Sequence, residues 1–93
     1  MSESNEIVKS VVITNSLGLH ARPAAMLVET VSNLDCDVNV TKDDLTVDAK
    51  SIMGVLTLAA EEGSTLTLSA KGKDAQQAID LITEMIENKF GEE

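Results

Sequence analysis

The chain has 93 residues, of which 43% are hydrophobic and 25% charged, and this length fits one small globular domain and excludes a second independent core. Its 7 basic and 16 acidic residues give a net charge of −9, which disfavours DNA, RNA or an anionic membrane surface as a partner. Phe90 is the only aromatic residue and Cys36 the only cysteine, so base stacking, an intrachain disulfide and a multi-cysteine metal site are excluded.

The first elements are a strand and a helix. Residues 1–6 are mostly polar and we expect a frayed terminus, whereas residues 7–13 are rich in β-branched side chains and predict a strand. A turn-rich segment follows at residues 14–18. Apolar residues then recur at helical spacing and predict the first helix, namely Ala24, Leu27, Val28, Val31 and Leu34.

A β-hairpin is predicted next. Val38 and Val40 alternate with polar residues, and the same alternation returns after Asp43 and Asp44 in the set Leu45, Val47 and Ala49. The two aspartates therefore form a tight turn, although the glycine that hairpins prefer is missing.

The last third predicts a helix, a strand and a helix. Ser51 is a suitable N-cap for a short helix over residues 52–60, which ends before Gly63. Leu66, Leu68 and Ala70 alternate as a fourth strand. Residues 74–77 read Asp-Ala-Gln-Gln, a capping box for a final helix whose apolar stripe is Ala75, Ala78, Ile79, Ile82, Met85 and Ile86.

These elements predict a single domain over residues 1–93 in the order β-α-β-β-α-β-α. Strands with one apolar face need a covering layer, which amphipathic helices supply from one side. The expected fold class is α/β (α+β), an open-faced β-sandwich in which three helices cover one face of a four-stranded, mostly antiparallel sheet. No apolar run approaches the roughly 20 residues that span a bilayer, so we expect a cytoplasmic protein without membrane insertion.

His20 is the only histidine, and it stands where the turn-rich segment becomes a helix. A helix N-terminus offers unpaired backbone N–H groups and partial positive charge, and Arg22 adds a guanidinium in the same turn. Pro23 is tolerated there because its missing N–H has no intrahelical partner. The structural interpretation is that His20 only caps the helix. The functional interpretation is a phosphate site in which the histidine is the nucleophile. The sequence places no carboxylate beside His20 for a hydrolytic triad, and no metal site is expected.

Two segments resemble one known family. Residues 18–24, Gly-Leu-His-Ala-Arg-Pro-Ala, are similar to the active-site motif of HPr, the histidine-containing phosphocarrier of the bacterial phosphotransferase system. Residues 50–56, Lys-Ser-Ile-Met-Gly-Val-Leu, resemble the regulatory-serine segment of that family, and the resemblance extends over roughly residues 7–90.

The resemblance implies a phosphocarrier with no cofactor. His20 would take a phosphoryl group on Nδ1 from phosphorylated enzyme I and pass it to a IIA-type domain in carbohydrate uptake, with Arg22 stabilising the phosphate. Ser51 would be the regulatory site for HPr kinase/phosphorylase in bacteria that have that enzyme. The protein would be a transfer intermediate without turnover chemistry of its own, and we expect a monomer.

Exposed apolar side chains near His20 would dock successive partners, and flexible methionines suit more than one of them. A neutral to basic face with His20, Arg22, Lys50 and Ser51 would stand apart from the acidic surface. The expected docking residues are Ala21, Pro23, Ala25, Met26, Lys50, Ile52, Met53 and Leu56.

Two alternatives stay open. The ending Phe-Gly-Glu-Glu at residues 90–93 resembles the nitrogen-related NPr branch, which would make the protein part of a regulatory relay. The other alternative is a non-catalytic module that only binds anions or a partner. We expect the acidic last helix and the tail to form a solvated face, with Phe90 pinning the helix end to the core.

Overall fold

The computed structural model describes residues 6–92 and confirms the expected order of elements. The strands and helices are β1 (Glu6–Val12), α1 (Ala21–Ser32), β2 (Asp37–Lys42), β3 (Leu45–Asp48), α2 (Ile52–Thr57), β4 (Thr65–Lys71) and α3 (Ala75–Glu87). Of the predicted frayed terminus, residues 1–5 lie outside the described residues. Glu6 contradicts that prediction because it begins β1 and pairs with Lys71.

The four strands form one sheet in the order β1-β4-β2-β3, and every pairing is antiparallel. The predicted hairpin joins β2 to β3, with Lys42 opposite Leu45 and two residues between them. Asp43 takes the positive φ of 54° that this turn needs, and aspartate adopts that conformation more readily than most residues.

One face of the sheet carries the core and the other faces water, as expected for an open-faced sandwich. Val8 and Val12 of β1 are 61% and 49% exposed on the outer side. The opposite face is buried under the helices, and five inward side chains of β2 and β4 are at most 1% exposed: Val38, Val40, Leu66, Leu68 and Ala70. The sheet alternation and the helical stripes therefore meet in one core.

Helix α2 is shorter than predicted. It ends at Thr57 instead of residue 60, because Ala59 has a positive φ of 50° that turns the chain out of the helix. The turn frees the carbonyl of Ala60, which accepts a hydrogen bond from the backbone N–H of Leu19 at 2.9 Å. The exit of α2 is thereby fixed against the segment that precedes α1.

The predicted capping box of α3 is wrong. Asp74 does occupy the N-cap position, but its side chain makes no cap hydrogen bond. Its Oδ2 instead accepts from the backbone N–H of Asp35 at 2.7 Å, while its own N–H donates to the carbonyl of Asp35 at 3.0 Å. The aspartate therefore links two loops that are far apart in sequence.

The chain after α3 folds back instead of leaving into solvent. Lys89, Phe90 and Gly91 form a tight turn in which φ is 55°, 53° and 76°. Phe90 is 1% exposed, which confirms that it pins the end of α3 to the core. Thr14 adds a hydrogen bond from its hydroxyl to the carbonyl of Ile86 at 2.7 Å. The end of α3 therefore lies beside the loop between β1 and α1.

Within residues 6–92, no helix is both long enough and apolar enough to cross a membrane.

Candidate functional site

The loop between β1 and α1 is held tightly against the exit of α2. Gly18 has a φ of 70°, and a Cβ at this position would overlap the carbonyl oxygen of Ala60 and lie 2.8 Å from Cα of Glu61. Glycine is therefore required on two grounds, the left-handed backbone and the close approach. The backbone N–H of His20 then bonds to the Gly18 carbonyl at 3.0 Å, which fixes the start of the helix.

His20 is the N-cap of α1, yet its side chain makes no capping hydrogen bond. The interpretation of His20 as a simple cap is therefore wrong. Its imidazole is 36% exposed, at the end of the helix where the N–H groups of Ala21 and Arg22 have no intrahelical acceptor. The position combines an accessible ring with unpaired backbone donors, which suits an incoming anion.

A carboxylate lies beside His20, contrary to the expectation from the sequence. Oε2 of Glu92 is 2.8 Å from Nε2 of His20, and the Glu92 side chain is only 13% exposed. The expectation that the whole tail is a solvated face is therefore wrong at this residue. Glu92 therefore occupies Nε2 of the ring and makes no hydrogen bond with Nδ1.

Asn15 holds the other oxygen of that carboxylate. Its Nδ2 donates to Oε1 of Glu92 at 3.0 Å and to the carbonyl of Gly18 at 2.8 Å. The Asn15 side chain is completely buried, and its Oδ1 has no hydrogen-bond partner among the described residues. Asn15 therefore connects the loop, the tail and His20.

The pKa of Glu92 reflects this environment. Desolvation raises the pKa of its carboxyl group, but the hydrogen bonds from Asn15 and His20 and the charges of His20 and Arg22 outweigh it. The net effect lowers the pKa of Glu92 below its usual value, so the group is ionised at neutral pH.

Arg22 and Ser51 lie where their predicted roles require exposure. Arg22 is exposed in the first turn of α1, and Ser51 is exposed at the N-cap of α2. The hydroxyl of Ser51 accepts from the backbone N–H of Gly54 at 3.1 Å, which confirms the predicted cap.

Lys50 does not join His20 on one face. Its ammonium donates to the carbonyl of Leu34 at 3.0 Å, just beyond the C-terminal end of α1, whereas His20 precedes the other end. A helix of 12 residues is about 18 Å long. The part of the prediction that places Lys50 on one face with His20 and Arg22 is therefore wrong.

The expected docking residues divide by exposure. Ala21, Ile52 and Met53 are exposed, Met53 by 69%, whereas Pro23 is buried and cannot present its ring to a partner. Ala25, Met26 and Leu56 are half-buried, and the last two pack against the core. Leu17 was not predicted, although it is 72% exposed three residues before His20; its place beside the motif was the available signal.

Within residues 6–92, no group of three or more histidine, cysteine, aspartate or glutamate side chains is arranged to hold a metal ion. The groups that the described residues bring together at the site are the histidine ring, the helix amides, the guanidinium and the tail carboxylate.

Known proteins resemble this chain in sequence and in fold. Residues 7–88 match the family model described as PTS HPr component phosphorylation site. The phosphocarrier protein HPr of Cupriavidus necator is 49% identical over 80 residues, which cover 86% of this chain and 90% of that protein. The phosphocarrier protein NPr of Shewanella violacea is 37% identical over 87 residues, covering 94% and 96% respectively. A crystal structure of HPr from Thermoanaerobacter tengcongensis superposes with a TM-score of 0.89 at 45% identity, covering 94% of this chain and 98% of that one.

Proposed function

The chain belongs to the HPr family of phosphocarrier proteins of the phosphotransferase system, and we propose that His20 is its phosphoryl acceptor. In this proposal Nδ1 of His20 takes the phosphoryl group from phosphorylated enzyme I and passes it to a IIA-type domain during carbohydrate uptake. The observation that carries the proposal is the accessible imidazole at the N-terminus of α1, with Nε2 already occupied by Glu92.

The transfer is one exchange of bonds at phosphorus. The lone pair of Nδ1 attacks, the bond between phosphorus and the donor breaks, and the donor keeps that electron pair. The phosphoryl oxygens then lie at the positive end of α1, where free N–H groups and the Arg22 guanidinium stabilise their charge. The same groups stabilise the phosphoryl oxygens when an acceptor attacks the phosphorus of phosphorylated His20, because the carrier must also release the phosphoryl group.

The test uses the chain's single histidine. Incubation with enzyme I and phosphoenolpyruvate is expected to give an adduct that is labile in acid and stable in base, as phosphohistidine is. Phosphorus-31 and nitrogen-15 spectra of the adduct are expected to place the group on Nδ1, and a His20→Ala variant of unchanged circular dichroism should give none. Absence of an adduct on the wild-type protein would refute the carrier proposal in favour of a binding module.

A nitrogen-related relay is the second candidate, supported by the NPr relative at 37% identity. The HPr-type carrier is the first candidate because the identity to an HPr, 49%, is higher than the identity to this NPr. The two candidates are separated by offering the phosphorylated protein a sugar-type and a nitrogen-type IIA domain. We expect faster transfer to the sugar-type domain, and the reverse order would assign the protein to the relay.

We also propose that phosphorylation of Ser51 inhibits acceptance at His20. A phosphate on the exposed Ser51 suits the N-terminus of α2, but it places about two negative charges on a partner-facing segment. Since α2 separates Ser51 from the exit that contacts Leu19, the effect is on the approach of the partner and leaves the imidazole itself unchanged. Repulsion of an acidic partner slows association.

The Ser51→Asp variant is expected to lower kcat/KM for phosphoryl transfer from enzyme I about tenfold. Ser51→Asn is the matched control, because asparagine has the same shape as aspartate and is an equally good N-cap but carries no charge. Equal rates for the two variants would show that charge at this position does not regulate transfer.

A further inference from the structure

We propose that Asn15 and Glu92 are positioning residues for the phosphoryl transfer: Asn15 holds the Glu92 carboxylate on Nε2–H of His20, so that the ring presents Nδ1 as its nucleophile. This inference rests on the proposed function of His20. It adds two side chains that the sequence motif does not contain.

The hydrogen-bonding capacities of the three side chains determine the proton positions. Nδ2 of Asn15 has two N–H donors, and both point at acceptors, the Gly18 carbonyl and Oε1 of Glu92. A flipped amide would place Oδ1 against the same two acceptors, so the orientation follows from the network.

An ionised carboxylate can only accept hydrogen bonds. Nε2 of His20, 2.8 Å from Oε2 of Glu92, must therefore be the donor. In the neutral imidazole the proton is then on Nε2 and the lone pair is on Nδ1. The tail thus selects the tautomer that can attack phosphorus from Nδ1.

The Glu92 carboxylate also stabilises the positive charge that the imidazole acquires during the reaction. When Nδ1 bonds to phosphorus, the ring becomes a cation that keeps its proton on Nε2, and no proton needs to move. The negative charge of Glu92 stabilises that cation, in the way that an aspartate supports the histidine of a hydrolytic triad. The contribution is larger than at an open surface because Glu92 is mostly buried.

The buried Oδ1 of Asn15, which has no hydrogen-bond partner among the described residues, indicates that asparagine serves a function at this position. Leaving a buried polar atom without a hydrogen bond is destabilising, and such atoms call for an explanation. An apolar residue would remove that cost, but it could not hold the carboxylate. The hydrogen bond from Nδ2 to Oε1 of Glu92 thus explains why this position holds an asparagine.

The experiment compares Glu92→Gln with Glu84→Gln, an equally conservative change at an exposed position of α3. Without any partner present, we expect the wild-type protein and Glu84→Gln to show a slowly exchanging Nε2–H proton resonance from His20. Glu92→Gln is expected to lose it and to shift the side-chain amide resonances of Asn15. With enzyme I, Glu92→Gln is expected to accept phosphate about tenfold more slowly.

An Asn15→Ala variant tests the second residue. If it folds, it is expected to lose the same proton resonance although Glu92 is intact, and to add nothing to the effect of Glu92→Gln in the double variant. If it does not fold, the contact between Asn15 and Glu92 is tested instead by Glu92→Gln, which keeps Asn15 in place and is expected to shift its side-chain amide resonances.

Unchanged proton and amide resonances, or a wild-type rate in Glu92→Gln, would overturn the proposal. A wild-type protein that shows the resonance but accepts no phosphate would refute the proposed function instead.

Discussion

Truncation of Phe90 to alanine is expected to lower the free energy of unfolding by about 3–5 kcal/mol, a large part of the stability of a domain this small. Phe90 is 1% exposed, so the change removes the whole ring from the core. It also removes the burial that offsets the left-handed backbone of Lys89 and Phe90, a conformation that costs about 1–2 kcal/mol per non-glycine residue. We therefore expect the tail to detach and Glu92 to leave His20.

Urea unfolding followed by circular dichroism measures this loss. Met53→Ala is the matched control, since it also deletes a large apolar side chain, but one that is 69% exposed. We expect its free energy of unfolding to change by less than about 1 kcal/mol. A Phe90→Ala variant as stable as Met53→Ala would mean that the ring is not part of the core in solution.

Replacing Gly18 by alanine is expected to cost at least about 3 kcal/mol and to slow phosphoryl acceptance at His20 as well. The new Cβ would overlap the Ala60 carbonyl, and the hydrogen bond from Leu19 to that same carbonyl prevents the two backbones from separating freely. The loop must then shift, and His20 shifts with it.

Gly63→Ala provides the control for the backbone conformation. Gly63 also has a positive φ, 90°, but nothing lies within 4 Å of the position that its Cβ would take. We expect this variant to lose only about 1–2 kcal/mol and to accept phosphate normally. Equal losses in the two variants would show that the left-handed backbone, and not contact with the exit of α2, makes glycine necessary at residue 18.

The architecture could be predicted from the sequence because its signals are local. The spacing of Ala24, Leu27 and Val31 predicts a helical face, and the structure buries all three. The strands and the hairpin follow from alternation in the same way. The prediction rested on the need of an amphipathic strand for a covering layer of helices. The structure confirms the predicted four-stranded sheet.

The errors come from contacts between residues that are distant in sequence. Asp74 has the right spacing for a capping box, but the N–H of Asp35, 39 residues away, takes its carboxylate. Glu92 is 72 residues from His20, and nothing in the composition of an acidic tail distinguishes one carboxylate that folds inward. Spacing along the chain singled out His20 as the candidate residue, but only the fold brings the Glu92 carboxylate to it.

The turn at Lys89–Gly91 has a practical consequence for how the protein is joined to other sequences. Because it returns the chain to His20, any segment attached after Glu92 leaves the fold beside the imidazole. The start of β1 at Glu6 is separated from the end of β1, which leads into the loop before His20, by the seven residues of the strand, about 23 Å. An affinity tag, a reporter or a fused domain that follows Glu92 would therefore share the space beside His20, whereas Glu6, where β1 begins, lies at the other end of that strand.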